Sequence, residues 1–396
     1  LKKIVLVSPF PPVQNPRLYK EYLLLKNQGY DVNVIYAVRD KWANITPLNK
    51  DFILVAGKHG SLTHLFSRVF HKFIRHFLAY EFSYHRSSWL MLLKASRIKA
   101  DLYIGHDLTS LPIVVRAAKR HKAKCGFDAE DFHRNEVSDD INSSFYKASK
   151  TIENKYLPQI DYLTCASPLI ADAYQKLYPQ LRAQTINNVF SKSYIIENES
   201  LRLPNEKLKL FWFSQTVGEG RGLETVIEAM GLLQPLNIEL TILGAANKEI
   251  QKIFNTLACT NNLSLSQIIY LDTVSPNQIF EIAALHHIGL ALEISKPYNR
   301  DICLTNKIFT YINAGLAIIA SETKAQKKLL QENKNIGLLF QIGNVVELAN
   351  QLKIYYEHPY LLDQHRRAAK KLAKDKFNWE KESQTLLSLI KTTMEN

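Results

Sequence analysis

Two stretches of this 396-residue chain combine residue types and spacings that could do chemistry. The first is Gly218-Glu219-Gly220-Arg221-Gly222, a glycine-rich turn with an arginine inside it. Glycine lets a backbone approach an anion closely, and a guanidinium offers a phosphate two parallel hydrogen bonds. An apolar run over residues 208–213 precedes the turn, and Leu223, Val226, Ile227 and Met230 follow it at helical spacing. Strand, glycine turn and helix together point backbone N–H groups at a phosphate. The same residues also make an ordinary strand-to-helix turn with a solvated arginine. The second stretch is a pair of polar ends. His106-Asp107 follows an apolar run over residues 100–105, and Asp128-Ala129-Glu130-Asp131-Phe132-His133 ends another over 123–128. Acids and histidines clustered at strand ends suit proton transfer or recognition of sugar hydroxyls, or they cap the helices that follow. His106, Asp107, Asp128 and His133 are therefore the candidate catalytic residues on this side. Their carboxylate spacing matches no standard metal loop, so no metal site is expected.

The elements that must position these residues alternate. Residues 2–7 read as a buried strand, 16–28 as a helix closed by Gly29, and 30–37 as a second strand. This β-loop-α-β opening begins a doubly wound sheet, which binds ligands at the carboxyl ends of its strands. The proline turn Ser8–Pro12 replaces the G-x-G-x-x-G of nicotinamide dehydrogenases. After a polar, turn-rich segment near residue 200 the rhythm restarts, with strands expected over 208–213, 238–243, 268–271, 287–292 and 316–320. Helices are expected over 276–284, 306–313, 326–331, 345–358, 359–377 and 379–391, a loop over 299–305, and Thr305 as a cap. Three parts follow: an α/β domain over 1–200, a second over 201–375, and a final helix over 376–396.

Composition is that of a globular chain, with 46% hydrophobic and 22% charged residues. No apolar run reaches the length of a membrane-spanning helix, and the opening LKKIVLVSPF alternates like a strand and lacks a small-residue cleavage site. The four cysteines are scattered without CxxC, which fits reduced thiols in the cytoplasm. The net charge of +13 is uneven: residues 1–200 hold 28 Lys+Arg against 18 Asp+Glu, and residues 201–396 hold 22 against 19. Within the basic half, residues 61–99 interleave Phe66, Phe70, Phe73, Phe77 and Trp89 with Arg68, Lys72, Arg75 and Arg86 around a single acid, Glu81. Read as two helical segments, this stretch is either a surface for an anionic bilayer or the core face of ordinary helices with solvated charges. No nucleic-acid-binding motif accompanies it.

In their order, FSQTVGEGRGLETVIEAM, LTILG, the strand ending at Glu293 and LTNKIFTYINAGLAIIAS resemble the donor-binding half of the large retaining glycosyltransferase family that includes glycogen-synthase-like and bacterial polysaccharide sugar transferases. NPRLYKEYLLLKNQGYDVNVI, ADLYIGHDLTSLP, CGFDAEDFH and INNVF resemble its acceptor-side half, so the likeness spans nearly the whole chain. The resemblance implies an α/β GT-B fold, two doubly wound Rossmann-like domains facing a central cleft, with the last helix crossing back to the first. It implies metal-independent transfer of a sugar, with retention, from a UDP- or GDP-type donor to a glycan or lipid-linked acceptor, with no cofactor and no nucleic acid. Such work belongs in the cytoplasm, and at the inner membrane surface if residues 61–99 hold the chain there. On the donor side it implies Arg221 on the diphosphate, Gly220 and Gly222 as its backbone cradle, Gly244 at a strand end and Glu293 near the sugar. It also places Asn306 and Lys307 at the start of the nucleotide-side helix. Gln215 stands where many members have a second basic residue, and Ile302 and Thr310 stand where many have two glutamates. A sugar-nucleotide 2-epimerase of the same fold, or a degenerate nucleotide-sugar-binding module, is the alternative.

Overall fold

The computed structural model describes all residues except 39–48, 58–59, 75–79, 198–201, 204–205 and 396, and it divides into two compact units. The first comprises Leu1–Asn187, Pro297–Asn299 and Ser383–Asn396; the second comprises Asn188–Lys296 and Arg300–Glu382. The boundary expected near residue 200, and Arg75 and Phe77 of the basic stretch, lie outside the described residues.

The strands of the first unit are β1 (Lys3–Ser8), β2 (Asp31–Tyr36), β3 (Phe52–Leu54), β4 (Leu102–His106), β5 (Lys124–Ala129), β6 (Tyr162–Cys165) and β7 (Ala183–Thr185). They form one parallel sheet in the order β3-β2-β1-β4-β5-β6-β7. Its helices are α1 (Pro16–Asn27), α2 (Leu62–Ile74), α3 (Tyr80–Ser83), α4 (Ser88–Ala95), α5 (Leu111–His121), α6 (Ser144–Tyr156) and α7 (Pro168–Leu177). Ile4, Val5, Leu6 and Val7 on β1 and Leu102, Tyr103 and Ile104 on β4 are all buried, because a parallel strand is covered on both faces and reads as a continuous apolar run. Helix α1 starts on the Asn15 side chain, which accepts from Leu18 N–H, with Pro16 in the first turn. Gly29 follows its end at φ +84. The strand order reverses between β1 and β4, which sets the ligand-binding edge beside their carboxyl ends.

The second unit repeats the plan with β8 (Leu208–Thr216), β9 (Ile238–Ala245), β10 (Ile268–Leu271), β11 (Ile288–Ala291), β12 (Ala317–Ser321) and β13 (Gly337–Phe340). The parallel order is β10-β9-β8-β11-β12-β13. Its helices are α8 (Leu223–Leu232), α9 (Lys248–Thr260), α10 (Pro276–Ala284), α11 (Tyr298–Ile302), α12 (Asn306–Ala314), α13 (Lys324–Glu332), α14 (Val345–Glu357), α15 (Pro359–Asp375) and α16 (Trp379–Glu395), although Tyr298 and Asn299 and the end of α16 belong to the first unit. Leu210 and Trp212 of β8 pack with Val226 and Ile227 of α8 and Leu352 of α14 in its core.

Several elements depart from the sequence expectation. The loop expected over 299–305 contains the short helix α11. Helix α9 was not foreseen because it buries only Phe254 and Ala258 and is otherwise polar. Strands β3 and β13 are too short for a periodic signal. Over 61–99, where two helical segments are expected, the described residues are helical over Leu62–Ile74, Tyr80–Ser83 and Ser88–Ala95, and Phe82, Met91 and Ala95 are core residues.

One close contact sets the position of α12. Gly289, in the middle of β11, lies under the Tyr311 ring; a Cβ there would stand 2.2 Å from it. The Tyr311 hydroxyl donates to Leu290 O at 3.1 Å. Gly289→Ala must push ring and helix outward, at an expected cost of about 2–3 kcal/mol. Urea denaturation checks this as a lowered midpoint at constant slope, and an unchanged midpoint would refute the contact.

Candidate functional site

In the second unit the glycine turn grows out of an irregular strand end. The register of β8 on β9 shifts between Phe213 and Thr216. There Gly244, at φ +148, lets Ser214 O pass so close that a Cβ would lie 2.1 Å from it. Gly244 therefore shapes the strand end that carries Ser214 and Thr216. Arg221 Nη1 donates to Ser214 Oγ at 2.7 Å and Nη2 to Thr216 Oγ1 at 3.4 Å. Among the described residues Arg221 forms no ion pair, so its charge is held in place by neutral hydroxyls. Gly220 and Gly222 have φ of +69 and +84, the left-handed conformation that favours glycine. The Gly220 N–H donates to Glu224 Oε1 at 2.7 Å, so an acid in the first turn of α8 meets the positive end of the helix dipole.

Arg221 and Gly222 line a cavity of about 210 Å³ together with Glu293, Ile294, Ser321 and Phe340. The Glu293 carboxylate is buried and accepts from Lys307 Nζ at 2.9 Å and Thr305 Oγ1 at 3.0 Å, with Arg300 Nη1 at 3.9 Å. Ser321 Oγ accepts from Glu293 N at 2.8 Å and donates to Glu293 O at 2.6 Å, which joins the ends of β11 and β12. The structure thus brings Gly220, Arg221, Gly222 and Glu293 to one cavity. Lys307 reaches it through Glu293. Asn306 instead accepts from Asn188 Nδ2 at 2.7 Å, and Gln215 is exposed on the strand extension. The Thr310 hydroxyl is buried and donates to Asn306 O at 2.9 Å within its own helix, and Ile302 is buried as well. Thr305 caps α12 by position, but its hydroxyl serves Glu293.

In the first unit His106, Asp128 and Thr164 stand in one row across β4, β5 and β6. Arg17, from α1, donates through Nε to Asp128 Oδ2 at 2.5 Å and through Nη2 to Asp128 Oδ1 at 2.7 Å. Thr164 Oγ1 donates to Asp128 Oδ1 at 2.5 Å. His106 Nδ1 lies 3.3 Å from Asp128 Oδ2 and 3.4 Å from Glu130 Oε1, and its Nε2 lies 2.9 Å from Glu21 Oε2. Arg17, Glu21, His106 and Asp128 are all at most 5% exposed. Burial alone would favour neutral Asp128 and neutral His106. Arg17 outweighs it at Asp128, whose carboxyl is held far below the usual range. The carboxylates of Asp128, Glu130 and Glu21 outweigh it at His106, which is held well above its ordinary value. His106, Asp128 and Glu130 bring potential metal-ligand atoms within 4.8 Å of one another. Arg17 already binds both oxygens of Asp128, so a guanidinium is the cation of this cluster.

Asp107 and His133 are arranged differently. Asp107 has φ +68 and ψ 151, a region nearly reserved for glycine that costs on the order of 1–3 kcal/mol and concentrates at functional sites. Its side chain accepts from Thr109 N–H at 2.9 Å, and burial raises its pKa. His133 pairs through Nδ1 with Glu136 Oε2 at 2.8 Å, and its buried Nε2 has no hydrogen-bond partner. Burial opposes charge on this ring, but Glu136 outweighs it and the pKa rises to about 10. Neighbouring Asp131, which accepts from Asn299 Nδ2 at 2.7 Å, is pushed up to about 6, by burial first and then by Glu136. Sequence reasoning missed Arg17, Glu21, Ser214, Thr216 and Ser321. Arg17 and Glu21 stand one helical turn apart, beside the apolar positions Leu18, Tyr22 and Leu25, and that spacing was the available signal.

Replacing Arg17 by Met strands Asp128 as an unpaired buried charge, at an expected cost of about 3–5 kcal/mol. Adding Asp128→Leu should recover much of that loss in urea denaturation; strictly additive losses would show that the two residues do not act as a pair. His133 is raised from 6.5 to about 10 in the folded chain, so its pair with Glu136 stabilises fully below about pH 6.5 and is lost as pH rises through about 10. The stability difference between the chain and its Glu136→Gln variant should therefore shrink across that window. A difference that stays constant to about pH 11 would overturn the assignment.

Residues 228–388 match the family described as glycosyl transferase-like. No curated protein matches the chain by sequence. Solved structures match over its full length. Sucrose-phosphate synthase from Thermosynechococcus elongatus has a TM-score of 0.76 at 13% identity, covering 99% of each chain. A glycosyltransferase from Rickettsia africae has a TM-score of 0.73 at 13% identity, covering 100% of this chain and 99% of its own. The Anabaena protein HepE, solved in complex with UDP and glucose, has a TM-score of 0.71 at 14% identity, covering 99% of this chain and 100% of its own. Residues 228–388 therefore carry the glycosyl transferase-like family's pattern, and the chain as a whole has the fold of the group 1 GT-B glycosyltransferases.

Proposed function

We propose that this chain transfers a sugar from a nucleoside-diphosphate sugar to a hydroxyl of a glycan or lipid-linked acceptor, with retention of configuration. One observation carries the reading: Arg221 is a cation held by two hydroxyls and no carboxylate, on a glycine turn that opens on a cavity. A guanidinium without a carboxylate partner can offer a phosphate two parallel hydrogen bonds. HepE, similar over its whole length, has been solved with UDP and with UDP-glucose, which supports a donor of that class.

In the proposed reaction the bond from the sugar's anomeric carbon to the diphosphate oxygen breaks, and the acceptor oxygen bonds to the same face. The acceptor proton passes to the departing phosphate. Charge on the leaving diphosphate is taken by Arg221 and the amino end of α8, so that no metal is required. The Glu293 carboxylate, neutralised by Lys307, orients hydroxyls of the sugar. On the first unit, His133 donates through Nε2 and Asp107 accepts from the acceptor. The Arg17–Asp128–His106 cluster holds the edge that carries them.

Arg221→Ala should weaken UDP or GDP binding by about ten- to a hundredfold in titration calorimetry, the loss of one charged hydrogen-bonding group. Unchanged affinity for both nucleotides would end the diphosphate assignment. His133→Ala should leave donor affinity intact and lower transfer by about a hundredfold. A changed sugar nucleotide formed without any acceptor would identify an epimerase instead.

A further inference from the structure

Helix α2 is packed inside out. Leu62, Leu65, Phe66, Val69 and Phe73 fall at the spacing of one helical face, and they are 85, 56, 65, 49 and 71% exposed. The opposite face, turned to the protein, carries His64 and Ser67, both buried. Polar contacts anchor that inner face: Ser67 Oγ donates to His64 O at 2.8 Å and accepts from Arg86 Nη1 at 3.0 Å, while Arg86 also donates to Val38 O. Phe70, at the edge of the two faces, stacks on Phe66 with ring centroids 5.7 Å apart and meets Trp89 of α4 at 4.9 Å. The apolar side is thus a surface held outward, since folding of the unit leaves it in water.

Charge decides between occupants. The helix contains no acid, and Arg68 and Lys72 flank the apolar face, both exposed. The one acid of the surrounding stretch, Glu81, is buried against Lys155 and Tyr156, with the cation and the hydrogen bonds holding its carboxyl down to about 2 despite burial. A second copy of this chain would set these cations against themselves. A bilayer with anionic headgroups accepts both the apolar residues and their basic flank. We infer that α2 is a membrane-docking helix that lies in the interface of an anionic bilayer through Leu62, Leu65, Phe66, Val69 and Phe73. This narrows the basic, aromatic stretch of 61–99 to one helix, because Phe82 and Met91 are spent in the core. The inference rests on α2 alone and is independent of the sugar-transfer reading.

The test is sedimentation of the full chain with vesicles of phosphatidylcholine and phosphatidylglycerol in equal parts, against vesicles of phosphatidylcholine alone. Preferential binding to the mixed vesicles, weakened by salt, is expected. Leu65→Ser/Phe66→Ser/Phe73→Ser should lower the partition at least about tenfold, and Arg68→Glu/Lys72→Glu by roughly thirtyfold or more. All five replaced side chains are exposed, so thermal unfolding should be unchanged and confirms the fold. Absence of binding by the unaltered chain, or wild-type partition by the triple variant, would overturn the proposal. So would a lipid-free dimer that the triple variant abolishes, which would assign the face to a second copy. Because Arg221→Ala should not affect partition, a failed donor assignment leaves this result readable on its own.

Discussion

A carboxylate taken out of water must be given a cation, and this chain meets that demand at the carboxyl edge of both its sheets. In the first unit Asp128, at the end of β5, is gripped by Arg17 from α1. In the second, Glu293, just after β11, is gripped by Lys307 from α12. The costs of burying such pairs nearly offset their attraction, so their contribution lies less in net stability than in geometry. Asp128 can keep its charge only if α1 lies within a guanidinium's reach of β5, and Glu293 only if α12 opens beside β11. The close seat of Tyr311 on Gly289 works with the second of these constraints. The carboxyl edges of both sheets are thereby fixed by charges that pair within the chain.

Once those demands are met, the groups left over are the ones the proposed reaction uses. Arg221 has hydroxyl partners but no counter-charge. His133 has a carboxylate on one ring nitrogen and, among the described residues, no hydrogen-bond partner on the other. Asp107 keeps a backbone conformation that a glycine would hold without strain. His106 and Asp128, also candidate catalytic residues, pair with Arg17, Glu21 and one another. The difference is one of charge: Asp128 and His106 sit among opposite charges that pair with them, whereas Arg221 meets only neutral hydroxyls.

This division explains what was legible in the residues. The two α/β units and most strands could be read, because buried parallel strands are unbroken apolar runs. The glycine turn could be read, because glycine at φ +69 and +84 answers a backbone requirement that few other residues meet. What could not be read was pairing across the chain. Arg17 is 111 residues from Asp128, and nothing local distinguishes it from a solvated arginine on a helix. Lys307 and Glu293 are 14 apart, and each was assigned to the donor side, but not to the other. Thr310 stands where many members of the resembled family have a glutamate, and its hydroxyl turns back to Asn306 O, the usual bond of a threonine inside a helix. Orientation within an element is what periodicity reports least well when the residue is polar, and α2 is the extreme case: its amphipathic pattern was plain, but which face met water was not.

Glu224 shows that the turn's anion-binding property belongs to the backbone itself. Its carboxylate accepts the Gly220 N–H at 2.7 Å, at the amino end of α8. That geometry requires Gly220 to be left-handed and its N–H to be presented outward, and the φ values of Gly220 and Gly222 satisfy this without strain. On the proposed reading, a phosphate would meet a donor already aimed at a negative oxygen, and Arg221, one residue on, would add a positive charge that forms no ion pair among the described residues. The carboxylate carries one charge and a diphosphate more, so on the proposed reading the helix dipole and the guanidinium together would favour the diphosphate. The Glu224 side chain keeps the Gly220 N–H satisfied, and in the proposed reaction the arginine would give the diphosphate its advantage over that side chain.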